Sequence, residues 1–215
     1  MATLPAATVP RRPQIWNPAY DPHSWAWDDV PPLPPFILAD GSGLAVYQTA
    51  VHAAYDDAAL YIRYICDDPD IWGESTARDS HIYDEEVVEL FIAPGFATPV
   101  RYYEFEVSPL GALLDLSVHN PDLDRRTLVG DFSWDCPGLR WAAVRDDAND
   151  RWYAYLIVPW TSLGASARLP RVWRANFYRI ERPRNRSPEF SCWSPTMSDP
   201  ADYHRPAFFG FLTLA

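Results

Sequence analysis

The sequence has no lysine: all 18 of its basic residues are arginine. That excludes any mechanism that needs a lysine, such as a Schiff base or a phosphate-cradling P-loop. Cysteine is scarce, and the three present, Cys66, Cys136 and Cys192, have no metal-ligand spacing. Their odd number gives no disulfide framework, and Cys66, inside an apolar run, is expected to be a small buried hydrophobe. Positive charge is outnumbered, giving a formal net charge of -11, which argues against nucleic acid as a partner. No apolar run is long enough to span a membrane, so no membrane partner is expected. Arg11 and Arg12 have no apolar segment beside them, so no signal peptide is read and a cytoplasmic location is expected. No Ser-His-Asp or HExxH arrangement stands out, and no Asp-rich run matches an EF-hand.

What the sequence has in quantity is proline and aromatic residues: 22 Pro, 10 Trp and 12 Tyr. Proline argues for loops and against long helices. Amphipathic rings suit sugar faces as well as cores. Residues 1–39 form a proline-rich arm with Trp16, Trp25 and Trp27 as anchors, and 40–215 form the main domain. Alternating runs predict hairpins from 48–55 with 60–66, and from 139–145 with 152–158. Further strands are predicted over 112–118, 172–180 and 208–214, while 119–138 and 182–203 read as loops. Roughly nine short strands with turns between them predict an all-β fold. It is a β-sandwich of two antiparallel sheets, immunoglobulin- or jelly-roll-like, with the arm laid over it.

The central pair of strands carries the functional expectation. Val88, Leu90 and Ile92 alternate with Glu89, and Tyr103, Phe105 and Val107 alternate with Glu104 and Glu106. If the two strands pair, three carboxylates share one sheet face, which needs a counter-charge, a ligand or open water. The long loops over 67–83 and 182–204 carry Trp72, Tyr83, Trp193 and Tyr203, and loops of that length suggest binding. Asp67, Asp68 and Asp70, and separately Asp146, Asp147 and Asp150, offer the hard oxygen ligands that calcium prefers.

Several phrases line up in order: Tyr55-Asp56-Asp57 with Leu60-Tyr61-Ile62, then Asp84 to Ile92, and Tyr103-Glu104-Phe105. Val158-Pro159-Trp160 with Leu163-Gly164, Trp173-Arg174-Ala175-Asn176-Phe177 and Arg205-Pro206 with Phe209-Gly210 follow. Over about 40–215 the chain resembles the family 9 carbohydrate-binding modules and their relatives in the DOMON-like superfamily. The resemblance implies a sandwich that holds sugar between two aromatic rings, with structural calcium in some members. It places Tyr83 at the first ring, six residues before Glu89, and Tyr203 with His204 at the second. Sugar-binding members carry tryptophan at both, so Trp72 and Trp193 are further ring candidates. Glu104 and Glu106 stand where such members offer Arg and Asn.

The expected site is a cleft with Trp72 or Tyr83 on one wall and Trp193 or Tyr203 on the other. Glu89, Asn176 and Arg179 form its floor, with Glu104, Glu106 and His204 near by. The plainer alternatives are a Glu89–Arg63 ion pair, a solvated face for Glu104 and Glu106, an Arg179–Glu181 pair, and aromatic rings that merely pack the loops. The expected function is non-catalytic carbohydrate binding, with calcium as a possible cofactor. The competing readings are a two-carboxylate glycosidase, a haem-binding domain using Met197 and His204, and a structural domain without a sugar site.

Overall fold

The structure, a computed structural model, describes residues 3–12, 21–165 and 169–215; Trp16 lies outside them. Thirteen strands are described: β1 (Ala6–Val9), β2 (Ile37–Leu38), β3 (Thr49–Tyr55), β4 (Ala59–Asp67), β5 (Val87–Pro94), β6 (Arg101–Val107), β7 (Leu113–His119), β8 (Val129–Asp131), β9 (Arg140–Asp146), β10 (Arg151–Pro159), β11 (Val172–Glu181), β12 (Glu189–Cys192) and β13 (Gly210–Leu214). Among the described residues the only helical pieces are short 3-10 turns.

The strands form two sheets. The smaller runs β3-β4-β10-β9, and the larger runs β1-β13-β11-β5-β6-β7-β8, with β12 on β11 and β2 on β12. The expected hairpins are present: β3 pairs β4 and β9 pairs β10, both antiparallel. Two expectations are corrected. The sheets are not wholly antiparallel, because β1 joins β13 in parallel. The segment after β11 is also no plain loop, since β12 returns to pair with the last four residues of β11.

Period-two alternation explains which side chains meet. Leu60, Ile62, Tyr64 and Cys66 of β4 and Trp152, Ala154, Leu156 and Val158 of β10 face Val88, Leu90 and Ile92 of β5 and Phe105 of β6 across the sandwich. The opposite face of the small sheet is covered from the N-terminal side. Trp27 and Val30 are buried there against Tyr61 and Tyr155, with Trp25 beside them. Asp21 caps the turn Pro22–Ser24 by accepting from the His23 N–H, and His23 bonds Tyr155 through its ring. The outer face of the large sheet is also covered, and that cover makes the site.

Gly210, the first residue of β13, shows how closely the layers meet. A Cβ there would lie 2.4 Å from the Trp193 ring and 2.8 Å from the Pro5 carbonyl oxygen. The carbonyl is main chain and cannot swing aside. Gly210→Ala should therefore destabilise the fold by about 1–3 kcal/mol, as overpacking does. A thermal melt unchanged by the substitution would show that β13 can slide.

Candidate functional site

The outer face of the large sheet carries a cavity of about 410 Å³. Its floor is made by alternate residues of neighbouring strands: Glu89 and Phe91 of β5, Glu104 and Glu106 of β6, and Leu114 and Leu116 of β7. The register fixes this arrangement, because Glu89 sits opposite Glu106 and Phe91 opposite Glu104. One rim is the 3-10 turn Ile82–Asp84, whose buried Ile82 anchors it so that Tyr83 and Asp84 line the opening. His81 stacks on Tyr83 with ring centroids 5.2 Å apart, and the half-exposed Phe132 lies 6.4 Å from His81. The opposite rim is Phe190 of β12 with Ala201, Tyr203 and His204. Tyr203 stacks on Tyr178 at 4.2 Å, and its hydroxyl donates to the Arg179 carbonyl oxygen at 2.7 Å.

Burial sets the electrostatics of this floor. Glu89, Glu104 and Glu106 are only 2, 4 and 1% exposed. Their oxygens come within 4.8 Å of one another. Burial pushes all three carboxyls toward the protonated form. Burial pushes Glu104 up to about 7, with the neighbouring Glu106 carboxyl and the Arg125 charge pulling the other way. Glu89 and Glu106 lie well above the carboxylate range, through burial first and repulsion by a neighbouring carboxyl second, Glu104 for Glu89 and Glu89 for Glu106. His204 closes the same corner. Burial lowers its imidazole to about 4, so it is neutral, and its Nδ1 is engaged by the Tyr102 hydroxyl at 2.8 Å.

The cavity brings together Tyr83, Glu89, Glu104, Glu106, Tyr203 and His204 of the residues the sequence singled out. The others lie elsewhere. Trp72 donates its indole N–H to the Arg182 carbonyl oxygen at 2.6 Å and fastens the loop ahead of β5. Trp193 is buried between the sheets, edge-on to Phe177. The Asn176 amide is used within the fold: it donates to the Ser194 carbonyl and accepts from the Ser194 and Phe177 N–H groups. Arg179 faces the opposite side of the sheet, fully buried against Asp68 and Glu181, so the plainer Arg179–Glu181 pair is the one present. Arg63 does not meet Glu89. It lies over the Tyr153 ring on the small sheet. Glu104 and Glu106 are not on a solvated face. Met197 packs against Gly41 and does not line the cavity that His204 lines.

Reading the sequence missed the third wall, formed by Arg125 and Leu128 of the β7–β8 connection, Gly130 of β8 and Phe132 just after it. Its signal was the pair Leu128-Val129 and Phe132 punctuating an Asp- and Arg-rich stretch. Arg182, which donates to the Tyr83 carbonyl oxygen at 3.2 Å, was also missed.

The two Asp runs do not gather into ion sites. Asp67 pairs with Arg151, Asp68 with Arg179 and Asp70 with Arg184, while Asp147 pairs with Arg145. Three other carboxylate groups have oxygens close enough to share an ion. In Asp68–Glu86–Glu181 the cation is Arg179, bonded to Asp68 and Glu181. In Asp79–Asp115–Asp135 it is Arg78, within 4 Å of all three. A metal does not fit where a guanidinium already sits. Glu89–Glu104–Glu106 has no such arginine among the described residues, and the donor set suits a cation.

Residues 45–214 match carbohydrate-binding family 9. A protein of Arthroderma benhamiae named "Extracellular protein" is 24% identical over 171 residues, 75% of this chain and 76% of its own. A suggested carbohydrate-binding protein from Bacteroides uniformis superposes with a TM-score of 0.75 at 17% identity, over 99% of this chain and all of that one. A Caldicellulosiruptor kristjanssonii family 9 module, solved in complex with glucose, superposes with a TM-score of 0.62 at 14% identity, over 98% of this chain and 96% of the module. The same organism's family 9 module in complex with cellotriose gives 0.63 at 14% identity, over 98% and 93%.

Proposed function

The chain belongs to carbohydrate-binding family 9, and from that premise we propose that it holds a sugar, without cleaving it, in the cavity over Glu89, Glu104 and Glu106. The observation that carries this reading is the joining of buried carboxylates to aromatic rims in one cavity. A pyranose offers apolar ring faces to Tyr83 and Phe132, and its hydroxyls hydrogen-bond the buried carboxyl oxygens. The family 9 module from Caldicellulosiruptor was solved with glucose and with cellotriose, which makes β-glucans the first ligands to try.

The carboxylate geometry favours binding over hydrolysis. A glycosidase sets two carboxyl groups on opposite sides of the scissile bond, about 5–9.5 Å apart depending on stereochemistry. Here all three project from one sheet face with oxygens within 4.8 Å of one another. They can reach one side of a sugar only. The relative from Arthroderma is named an extracellular protein, and we extend that location to this chain in place of the cytoplasmic one expected from the sequence. Among the described residues no helix is long and apolar enough to cross a membrane.

Calorimetric titration with glucose and cello-oligosaccharides tests the reading. Tyr83→Ala should weaken binding about two- to tenfold, the worth of one aromatic contact, and leave the melt unchanged. Sugar release from an oligosaccharide by the pure protein would overturn the non-catalytic assignment. Binding that Tyr83→Ala leaves untouched would move the site out of this cavity.

A further inference from the structure

Three groups of three carboxylates occur among the described residues, and they follow one pattern with one exception. Arg179 sits among Asp68, Glu86 and Glu181, and Arg78 among Asp79, Asp115 and Asp135. The third group, Glu89, Glu104 and Glu106, has no basic side chain bonded to it among the described residues, and it alone lines the cavity. The neighbouring charges do not fill the gap. Arg125 is bonded to Asp202 at 3.0 Å, Arg182 to the Tyr83 carbonyl, and Asp84 adds a further negative charge on the rim. The His204 ring is neutral and lies 3.9 Å from Glu104.

Two oxygens of this group point to where a cation would sit. Oε2 of Glu104 and Oε2 of Glu106 are buried without a hydrogen-bond partner, as are Oε1 of Glu86 and Oε1 of Glu181 in the Arg179 group, but only the Glu104 and Glu106 carboxyls line a cavity that a ligand can enter. Buried carboxylate oxygens left unpaired are costly, and a native fold keeps them only where something else completes the bonding. Resting on the sugar-binding reading of this same cavity, we propose that its ligand is an amino sugar with a free amine, whose ammonium group sits among Glu89, Glu104 and Glu106. An ammonium has three donors on one atom, matching three carboxylates converging from one sheet face. The rest of a pyranose would lie against the Tyr83 and Phe132 rim, where its apolar faces meet rings. A neutral sugar offers hydroxyl partners to the same oxygens but supplies no cation beside which the carboxyls could ionise. On entry of the ammonium the protons held within the carboxyl cluster are released to solvent, and no bond to carbon is made or broken.

The experiment is calorimetric titration of the full chain, in mildly acidic buffer with a calcium chelator, against glucosamine, N-acetylglucosamine and glucose. Buffers of different ionisation enthalpy report the protons exchanged. Glucosamine should bind at least about tenfold more tightly than glucose, as expected of hydrogen bonds to charged groups. N-acetylglucosamine, which has no ammonium, should show no such gain. Wild-type protein should release protons on binding glucosamine, a readout that needs no variant. In the isosteric double variant Glu104→Gln with Glu106→Gln the preference should vanish while the melt persists. Glucose binding as tightly as glucosamine would overturn the amine assignment and leave the sugar site standing. Failure of all three sugars to bind would sink both. Calcium in place of the chelator raising glucose affinity, with the glucosamine preference lost, would assign the carboxylates to a metal and overturn the proposal.

Discussion

Arg179→Met should destabilise the protein by about 3–5 kcal/mol at neutral pH, the cost of removing one partner from a buried ion group. The guanidinium is wholly buried at one end of the inter-sheet core, bonded to Asp68 at 3.1 Å and to Glu181, and it donates to the Asp67 carbonyl oxygen. Its plane lies over the Trp152 ring at 5.7 Å, so the side chain also packs. Methionine keeps most of the packing and loses the charge. Asp68, Glu86 and Glu181 would then share a dry site with nothing to neutralise them. Burial already raises Glu181 to about 7 and Glu86 to about 9. The deficit should therefore shrink as pH falls and the orphaned carboxyls take up protons. Denaturant melts at several pH values measure it. A loss under about 1 kcal/mol, typical of exposed pairs such as Arg145–Asp147, and flat across pH, would show that Arg179 does not hold the sandwich end together.

Arg179 also shows what the sequence could and could not say. Alternation placed Val88, Leu90 and Ile92 in the core and Glu89, Glu104 and Glu106 together on the other face, and the strands are arranged that way. The same rule argued against grouping Asn176 with Arg179. They are three apart on β11, and in a strand that puts them on opposite faces. Arg179 shares its face with Trp173, Ala175 and Phe177, all inside. Trp193 misled for another reason. Its segment read as a polar loop, but the short strand β12 pairs with β11 and delivers Trp193 between the sheets. A four-residue strand inside a Pro- and Arg-rich stretch leaves little periodic signal. Burial of the three glutamates was not legible either. It depends on distant segments, the β7–β8 connection and residues 201–204, folding over the sheet, and no local pattern reports a cover contributed from elsewhere in the chain.

That cover has a consequence in pH. A carboxyl whose pKa is higher in the folded than in the unfolded protein favours folding while it holds its proton. The advantage is complete below the unfolded pKa and is lost as pH rises through the folded one. Glu104 moves from its ordinary 4.5 up to about 7, and Glu89 and Glu106 are raised well above theirs by burial first and by neighbouring carboxyls second, Glu104 acting on Glu89 and Glu89 on Glu106. His204 acts in the opposite sense. Its pKa falls from 6.5 to about 4, so the unfolded chain takes up its proton first and stability is lost as pH drops through that window. The two effects oppose each other between about pH 4.5 and 6.5, and above 6.5 only the carboxyls remain. Stability should therefore fall from pH 6.5 to 9: the last ~1 kcal/mol of the Glu104 effect is lost as pH passes through about 7, most of it having gone between pH 4.5 and 6.5, and the more strongly buried Glu89 and Glu106 carry the fall beyond that. The double variant Glu104→Gln with Glu106→Gln removes two ionisable groups and keeps their shape. It should match wild type in mildly acid solution, exceed it at alkaline pH and show a flatter profile. Thermal melts across that range decide the matter. Wild-type stability that holds level or rises from pH 6.5 to 9 would mean that the glutamates ionise without cost, with water or an ion reaching them in the cavity.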